Sequence, residues 1–186
     1  MLKTLCILIG LSITSQAIEE SQIQQVMVTK VQQVLDILQN KALTQTQKEN
    51  KSITVMNSVF DYTTMSKISL GKKWQTLTHG EKKQFIKAFE HKIKHSYVDK
   101  LRLYDNQKVI TRTMRKVKPT RITLESQIIG KTENYKVLYL FYKDKKTNQW
   151  YIYDVHLAGV SIIQTYRKQF SSFLKTKSFQ ALLKSL

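Results

Sequence analysis

The hydrophobic period of this 186-residue chain changes twice, and those changes constrain the fold more than any other feature. In the first part, Ile23, Val26, Met27, Val31, Val34, Leu35, Leu38 and Ala42 recur at i, i+3, i+4 spacing, one apolar stripe on a long helix. Ile53, Met56, Val59 and Phe60 continue the pattern in a second, shorter helix, and a third segment over residues 62–70 ends at Gly71, a suitable C′ position. Thr78 and Glu81 have the S/T-x-x-E spacing of a capping box, which predicts a helix start there. Its apolar face is Phe85, Ile86, Phe89, Ile93, Tyr97 and Leu101, and its opposite face carries Lys82, Lys83, Lys87, Lys94 and His95.

After Tyr104 the period falls to 2. Ile122, Leu124, Ser126 and Ile128 alternate with Arg121, Thr123, Glu125 and Gln127, the pattern of a half-buried antiparallel strand. Residues 135–142 are apolar on both sides, with Leu138, Leu140 and Tyr142 on one and Val137, Tyr139 and Phe141 on the other, so this strand is expected to be central and covered twice. A turn at residues 144–148 leads to a further apolar strand over residues 150–157, completing a hairpin. Helical spacing returns with Ile163, Tyr166, Phe170, Phe173 and Leu174, and a last short helix follows a Ser178 cap. The expected class is α+β: helices packed on a curved four-stranded antiparallel sheet, with a cone-shaped apolar pocket between them.

Five glycines, one proline and no internal repeat leave little room for linkers, so residues 18–186 are read as a single domain. Residues 1–17 are read as a cleaved signal peptide: Lys3 supplies the positive start, residues 5–13 the apolar stretch, and Ser15 and Ala17 the small-x-small cleavage signal. That stretch is shorter than the ~20 residues a spanning helix needs. Export to the periplasm is the expectation. Cys6, the only cysteine, falls inside the leader, which leaves no thiol for a disulfide, a nucleophile or a zinc site in the remainder.

The formal net charge is +18, and Lys3 is the only charged side chain of residues 1–17. Such a field attracts anionic partners, and in the periplasm those are lipid headgroups rather than nucleic acid; a lysine-rich surface that is only solvated is the competing explanation. Asp154 and His156 lie two apart on one strand and share a face, a pairing that an acid/base enzyme could use. With no third group indicated, Asp154 is assigned a structural role instead, accepting hydrogen bonds from nearby backbone or from Arg167. His91 and His95 form an i, i+4 pair that could chelate a metal, set against a solvated basic face. Without Cys and without a Gly-rich phosphate loop, neither metal nor organic cofactor is expected. Gly159 and Ser161 mark the hand-over from strand to helix, Gly159 for a backbone geometry closed to a Cβ and Ser161 as a cap.

At this point the residues resemble a known family, the MlaC periplasmic phospholipid-binding proteins, also called the toluene-tolerance family. Two blocks carry the resemblance. One is Phe60, Asp61, Tyr62, Met65, Leu70, Gly71, Trp74, Leu77, Thr78, Glu81, Phe85, Phe89 and Tyr97; the other runs from Trp150 through Val155 to Gly159, Val160 and Ser161, then from Tyr166 to Phe170. Ala158 stands where the family has an acidic residue, and a family glycine near Ser178 is missing. The resemblance implies an NTF2-like cone and a monomeric, non-enzymatic carrier of diacyl phospholipid between the inner and outer membranes, maintaining outer-membrane lipid asymmetry. The implied docking partners are an inner-membrane ABC transporter complex and an outer-membrane lipoprotein associated with a porin. A periplasmic chaperone or lipoprotein carrier, and an enzyme on the same fold, are the competing functions. The expected pocket places Leu138, Leu140 and Tyr142 opposite Phe85, Phe89 and Tyr97, with Trp74, Val160, Ile163 and Tyr166 nearer the mouth.

Overall fold

The computed structural model describes residues 18–101 and 106–186, the side chains of residues 97–101 excepted. The expected signal peptide and the side chain of Tyr97 therefore lie outside the described residues. Ile18 begins the described chain, its carbonyl accepting the Trp150 N–H at 3.0 Å. Helix α1 spans Ile23–Gln39 and buries Ile23, Met27, Leu35 and Leu38, four members of the stripe expected from the spacing. It ends before Ala42. Helix α2 (Gln45–Asn57) starts well ahead of Ile53 because Thr44 and Gln47 form a reciprocal capping box. Two lysines brace the pair: Lys30 Nζ donates to the Val55 carbonyl at 2.8 Å and Lys48 Nζ to the Leu38 carbonyl at 2.7 Å, each near the negative end of a helix.

Helix α3 covers Tyr62–Leu70, capped by Asp61, whose carboxylate accepts the Thr64 N–H at 2.9 Å. Gly71 follows at φ +55°, a backbone conformation that calls for glycine, and the Arg167 guanidinium lies against it. A 3-10 segment, Gly71–Thr76, leads to α4 (His79–Leu101). The Thr78–Glu81 capping box is present in both directions, Glu81 accepting the Thr78 N–H at 2.8 Å and Thr78 Oγ1 accepting the Glu81 N–H at 3.2 Å.

The sheet follows in the order β1 (Lys108–Lys118), β2 (Arg121–Ile129), β3 (Asn134–Lys143), β4 (Trp150–Leu157), β5 (Val160–Ser161), with every neighbouring pair antiparallel. The α+β class is the one the periodicity predicts, with one strand more than expected: two residues after the Gly159 turn pair back onto β4. Helices α5 (Ile162–Phe173) and α6 (Phe179–Ser185) close the chain, capped by Ser161 and Ser178 as expected. Between β3 and β4, Asp144 holds the turn by accepting the N–H groups of Lys146 and Thr147.

Two separate cores result. One lies between α1 and the sheet, where Ile23 and Met27 meet Ile122, Leu124, Phe141 and Ile152. Register explains the choice of face, since Phe141 pairs with Ile122 and Val137 with Ser126, which puts the odd residues of β3 on the α1 side. The second core is helical: Met65 from α3, Phe85, Phe89 and Ile93 from α4, Ile163 and Phe170 from α5, Phe179 and Leu182 from α6. Within it Phe85 stacks on Phe89 at 5.5 Å, and Phe170 meets both rings edge-on.

Candidate functional site

The place where the two cores adjoin is the hand-over from β4 to α5. Leu157 pairs with Val160 across a two-residue turn in which Ala158 (φ +49°) and Gly159 (φ +83°) both take the left-handed region, as a type I′ hairpin requires. Ser161 then caps α5 by accepting the Gln164 N–H at 2.9 Å. Beneath the turn, Asp154 is 4% exposed. Its Oδ1 accepts the N–H groups of Val155 (2.8 Å) and Ile163 (3.1 Å), and its Oδ2 accepts the Ser161 hydroxyl (2.5 Å) and faces His156 Nε2 at 3.3 Å. A carboxylate so occupied, beside the positive end of α5, does structural work. The backbone role expected for Asp154 is the one it has. Arg167 lies against Gly71 instead.

Beside this turn a cleft of about 510 Å³ opens between α4, the turn and α5. Its apolar wall is Leu157, Val160, Ile162 and the ring of Tyr166; Lys92, Thr165 and Gln169 supply the polar part. Val160, at the rim, is 60% exposed. Tyr166 stands between the cleft and the helical core. Its ring meets Phe89 edge-on at 5.0 Å and lies 5.5 Å from Phe170, while its hydroxyl contacts Ser96 Oγ at 3.0 Å. The Ser96 hydroxyl in turn donates to the Lys92 carbonyl at 2.9 Å, which ties this turn of α4 to α5. A larger hollow of about 610 Å³ adjoins Ile18 and Trp150 where the described residues begin, with a polar rim of Glu19, Glu20, Lys143 and Asn148.

Of the residues expected around a pocket, Val160 and Tyr166 line the cleft. Phe85, Phe89 and Ile163 are fully buried in the helical core beside it, and Trp74 packs against the same core with Lys82 Nζ 5.7 Å from its ring centre. Leu138, Leu140 and Tyr142 are elsewhere. They occupy the face of β3 turned away from α1, they are half-buried, and they join neither core. The expected confrontation with Phe85 and Phe89 is therefore not the packing found, because α4 packs on α2, α3 and α6 rather than over the sheet. Nor is β3 fully buried on both sides: Val137 and Phe141 on its α1 face are buried, and the second face is only partly covered.

That second face is aromatic and engaged in polar contacts. The Tyr142 hydroxyl donates to Asp61 and lies 3.2 Å from Thr64 Oγ1, and Arg121 sits over the rings of Tyr142 and Tyr153 at 5.6 and 5.5 Å. Burial, then the Asp61 hydrogen bond, raises the pKa of Tyr142; burial alone pushes Tyr139 up to about 12. The periodicity singles out none of Lys92, Leu157, Ile162, Thr165 or Gln169 as a wall of the cleft. Only Ile162 beside Ile163, adjacent apolar residues on the first turn of α5, hints at two directions of burial. His91 and His95 touch through Nε2 atoms 2.9 Å apart on the exposed side of α4, and among the described residues no group of three metal-ligating side chains gathers.

Comparison with known proteins adds three findings. The family model for the MlaC protein matches residues 28–186. No curated protein sequence matches the chain. Among solved structures, the phospholipid-binding protein of Ralstonia solanacearum, determined in complex with a phospholipid, superposes with a TM-score of 0.75 at 22% identity, covering 87% of this chain and 92% of that one. At that identity the likeness establishes the fold. The family match runs further than any one motif, from the second turn of α1 through the Thr78 cap and the Gly159 turn to the last residue, and on that extent the chain belongs to the MlaC family.

Proposed function

We propose that this protein is an exported, non-enzymatic carrier of diacyl phospholipid. The observation that carries the reading is the apolar cleft at the β4–α5 turn, whose Tyr166 wall backs onto a helical core of aromatic side chains. Its volume lies in the ~300–1,000 Å³ range of ligand pockets. Family membership and the phospholipid in the Ralstonia protein support the choice of cargo. The physical need is plain: at ~0.8 kcal/mol per buried methylene, two acyl chains exposed to water cost on the order of 20 kcal/mol, so a free lipid does not cross an aqueous compartment. A pocket of matching apolarity makes each transfer near-balanced and leaves direction to the partners.

In this reading residues 1–17 direct export and are removed, residues 18–186 act as one domain in the periplasm, and the carrier works between an inner-membrane ABC transporter complex and an outer-membrane lipoprotein with its porin, serving outer-membrane lipid asymmetry. It needs no metal or organic cofactor. Acyl chains enter past Val160 and Tyr166, with Ile163, Phe85 and Phe89 behind them. Native mass spectrometry of protein purified from periplasm tests this. The expected spectrum shows the mass of a chain beginning at Ile18 with diacyl phospholipid bound; an empty protein, or one carrying only peptide, sinks the proposal.

A further inference from the structure

The cleft has one charged side chain on its wall, Lys92. Lys92 is half-buried, and among the described residues no carboxylate lies within ion-pair distance of it. Its neighbour Lys94 shows the contrast, held by Glu90 at 2.5 Å and set over the Tyr62 ring. With its stem on an otherwise aliphatic wall and no counter-charge beside it, the Lys92 ammonium favours an anion that arrives at the cleft. The remaining polar groups narrow the choice. The Thr165 hydroxyl already donates to the Ser161 carbonyl at 2.7 Å, and the Tyr166 hydroxyl is engaged with Ser96. Ser96, bonded to the Lys92 carbonyl, keeps the Lys92 backbone at the edge of the hollow. The ligand that fits both walls is an amphiphile with apolar chains against Leu157, Val160 and Ile162 and a negative group at Lys92.

We propose that Lys92 receives the phosphate of the cargo headgroup and makes the carrier prefer acidic phospholipid over zwitterionic phospholipid. A zwitterion brings its own ammonium to its phosphate and so gains less from Lys92. This rests on the carrier reading above and goes beyond it by assigning headgroup selectivity to a residue.

The test is exchange with vesicles made of equal parts phosphatidylglycerol and phosphatidylethanolamine with identical acyl chains, followed by repurification and mass-spectrometric quantification of bound lipid. The expected result is an enrichment of phosphatidylglycerol by about three- to fivefold, the factor a partly exposed ion pair provides. Lys92→Gln should bring the ratio to that of the vesicles, Lys92→Glu should reverse it, and Lys87→Gln, an exposed lysine of the same helix, should leave both the ratio and the total bound lipid alone. Lipid bound without preference by the unaltered protein, or a preference that survives Lys92→Gln, overturns the proposal and leaves the carrier reading standing. No lipid in any variant overturns both. Lipid-free protein is also titrated with inorganic phosphate: no saturable binding is expected, and saturable binding that Lys92→Gln removes assigns the lysine to a free anion instead of a headgroup.

Discussion

Removing the Asp154 carboxylate tests whether the β4–α5 hand-over is the structural support of the site. In Asp154→Ala the N–H groups of Val155 and Ile163 and the Ser161 hydroxyl lose their acceptor. His156 is half-exposed and can turn to water, and Ser161 can find a new partner, so the unavoidable loss is two buried amides. At ~1–3 kcal/mol for each unsatisfied buried group, with the loss of a negative charge at the start of α5 added, the expected destabilisation is about 3–5 kcal/mol. For a domain of this size that lowers Tm by about 6–20 °C. Asp154→Asn keeps one oxygen for the two amides and forfeits only the charge and the Ser161 acceptor, so it should cost about 1–2 kcal/mol. Thermal melts followed by far-UV circular dichroism, with urea titrations as a second measure, read both. An Asp154→Ala protein that melts within about 2 °C of the unaltered one, or an Asn variant as damaged as the Ala variant, refutes the assignment.

Ala158 holds a left-handed φ of +49° that asparagine tolerates better, so Ala158→Asn should raise stability by about 0.5–1 kcal/mol and Tm by a few degrees; a lowered Tm would show that the turn is not strained. Burial raises the pKa of Tyr62, Tyr139, Tyr142 and Tyr153 above the ordinary value of 10.0. The unfolded chain then loses these protons first, so stability holds below pH 10 and falls as pH rises above it; a urea midpoint unchanged between pH 9 and pH 11 would contradict this. Val160→Asp, at an exposed rim position, should cost within about 0.5 kcal/mol yet sharply lower co-purified lipid, whereas Leu140→Trp on the half-buried sheet face should leave the lipid content as it is. The opposite outcome would place the cargo over the sheet.

Local signals in the sequence were sufficient for the elements themselves. The stripe of α1, the Thr78–Glu81 box, the stop at Gly71, the alternation of β2 and the caps at Ser161 and Ser178 each depend on residues within a few positions of one another, and each is present as expected. The start of α2 is not legible in the periodicity although Thr44 and Gln47 form the same kind of box, because polar residues fill its first two turns and leave no apolar period to follow. What periodicity cannot supply is partnership. It shows that both faces of β3 are apolar, but register with β2 decides that Phe141 and Val137 meet α1, and the packing of α4 on α2, α3 and α6 decides that Phe85 and Phe89 belong to a helical core instead of a gap above Leu140. The cleft is likewise a tertiary product. Lys92, Leu157 and Tyr166 come from three elements that no spacing relates, and they meet because Asp154, a residue whose burial the sequence does not reveal, fixes where α5 leaves the sheet.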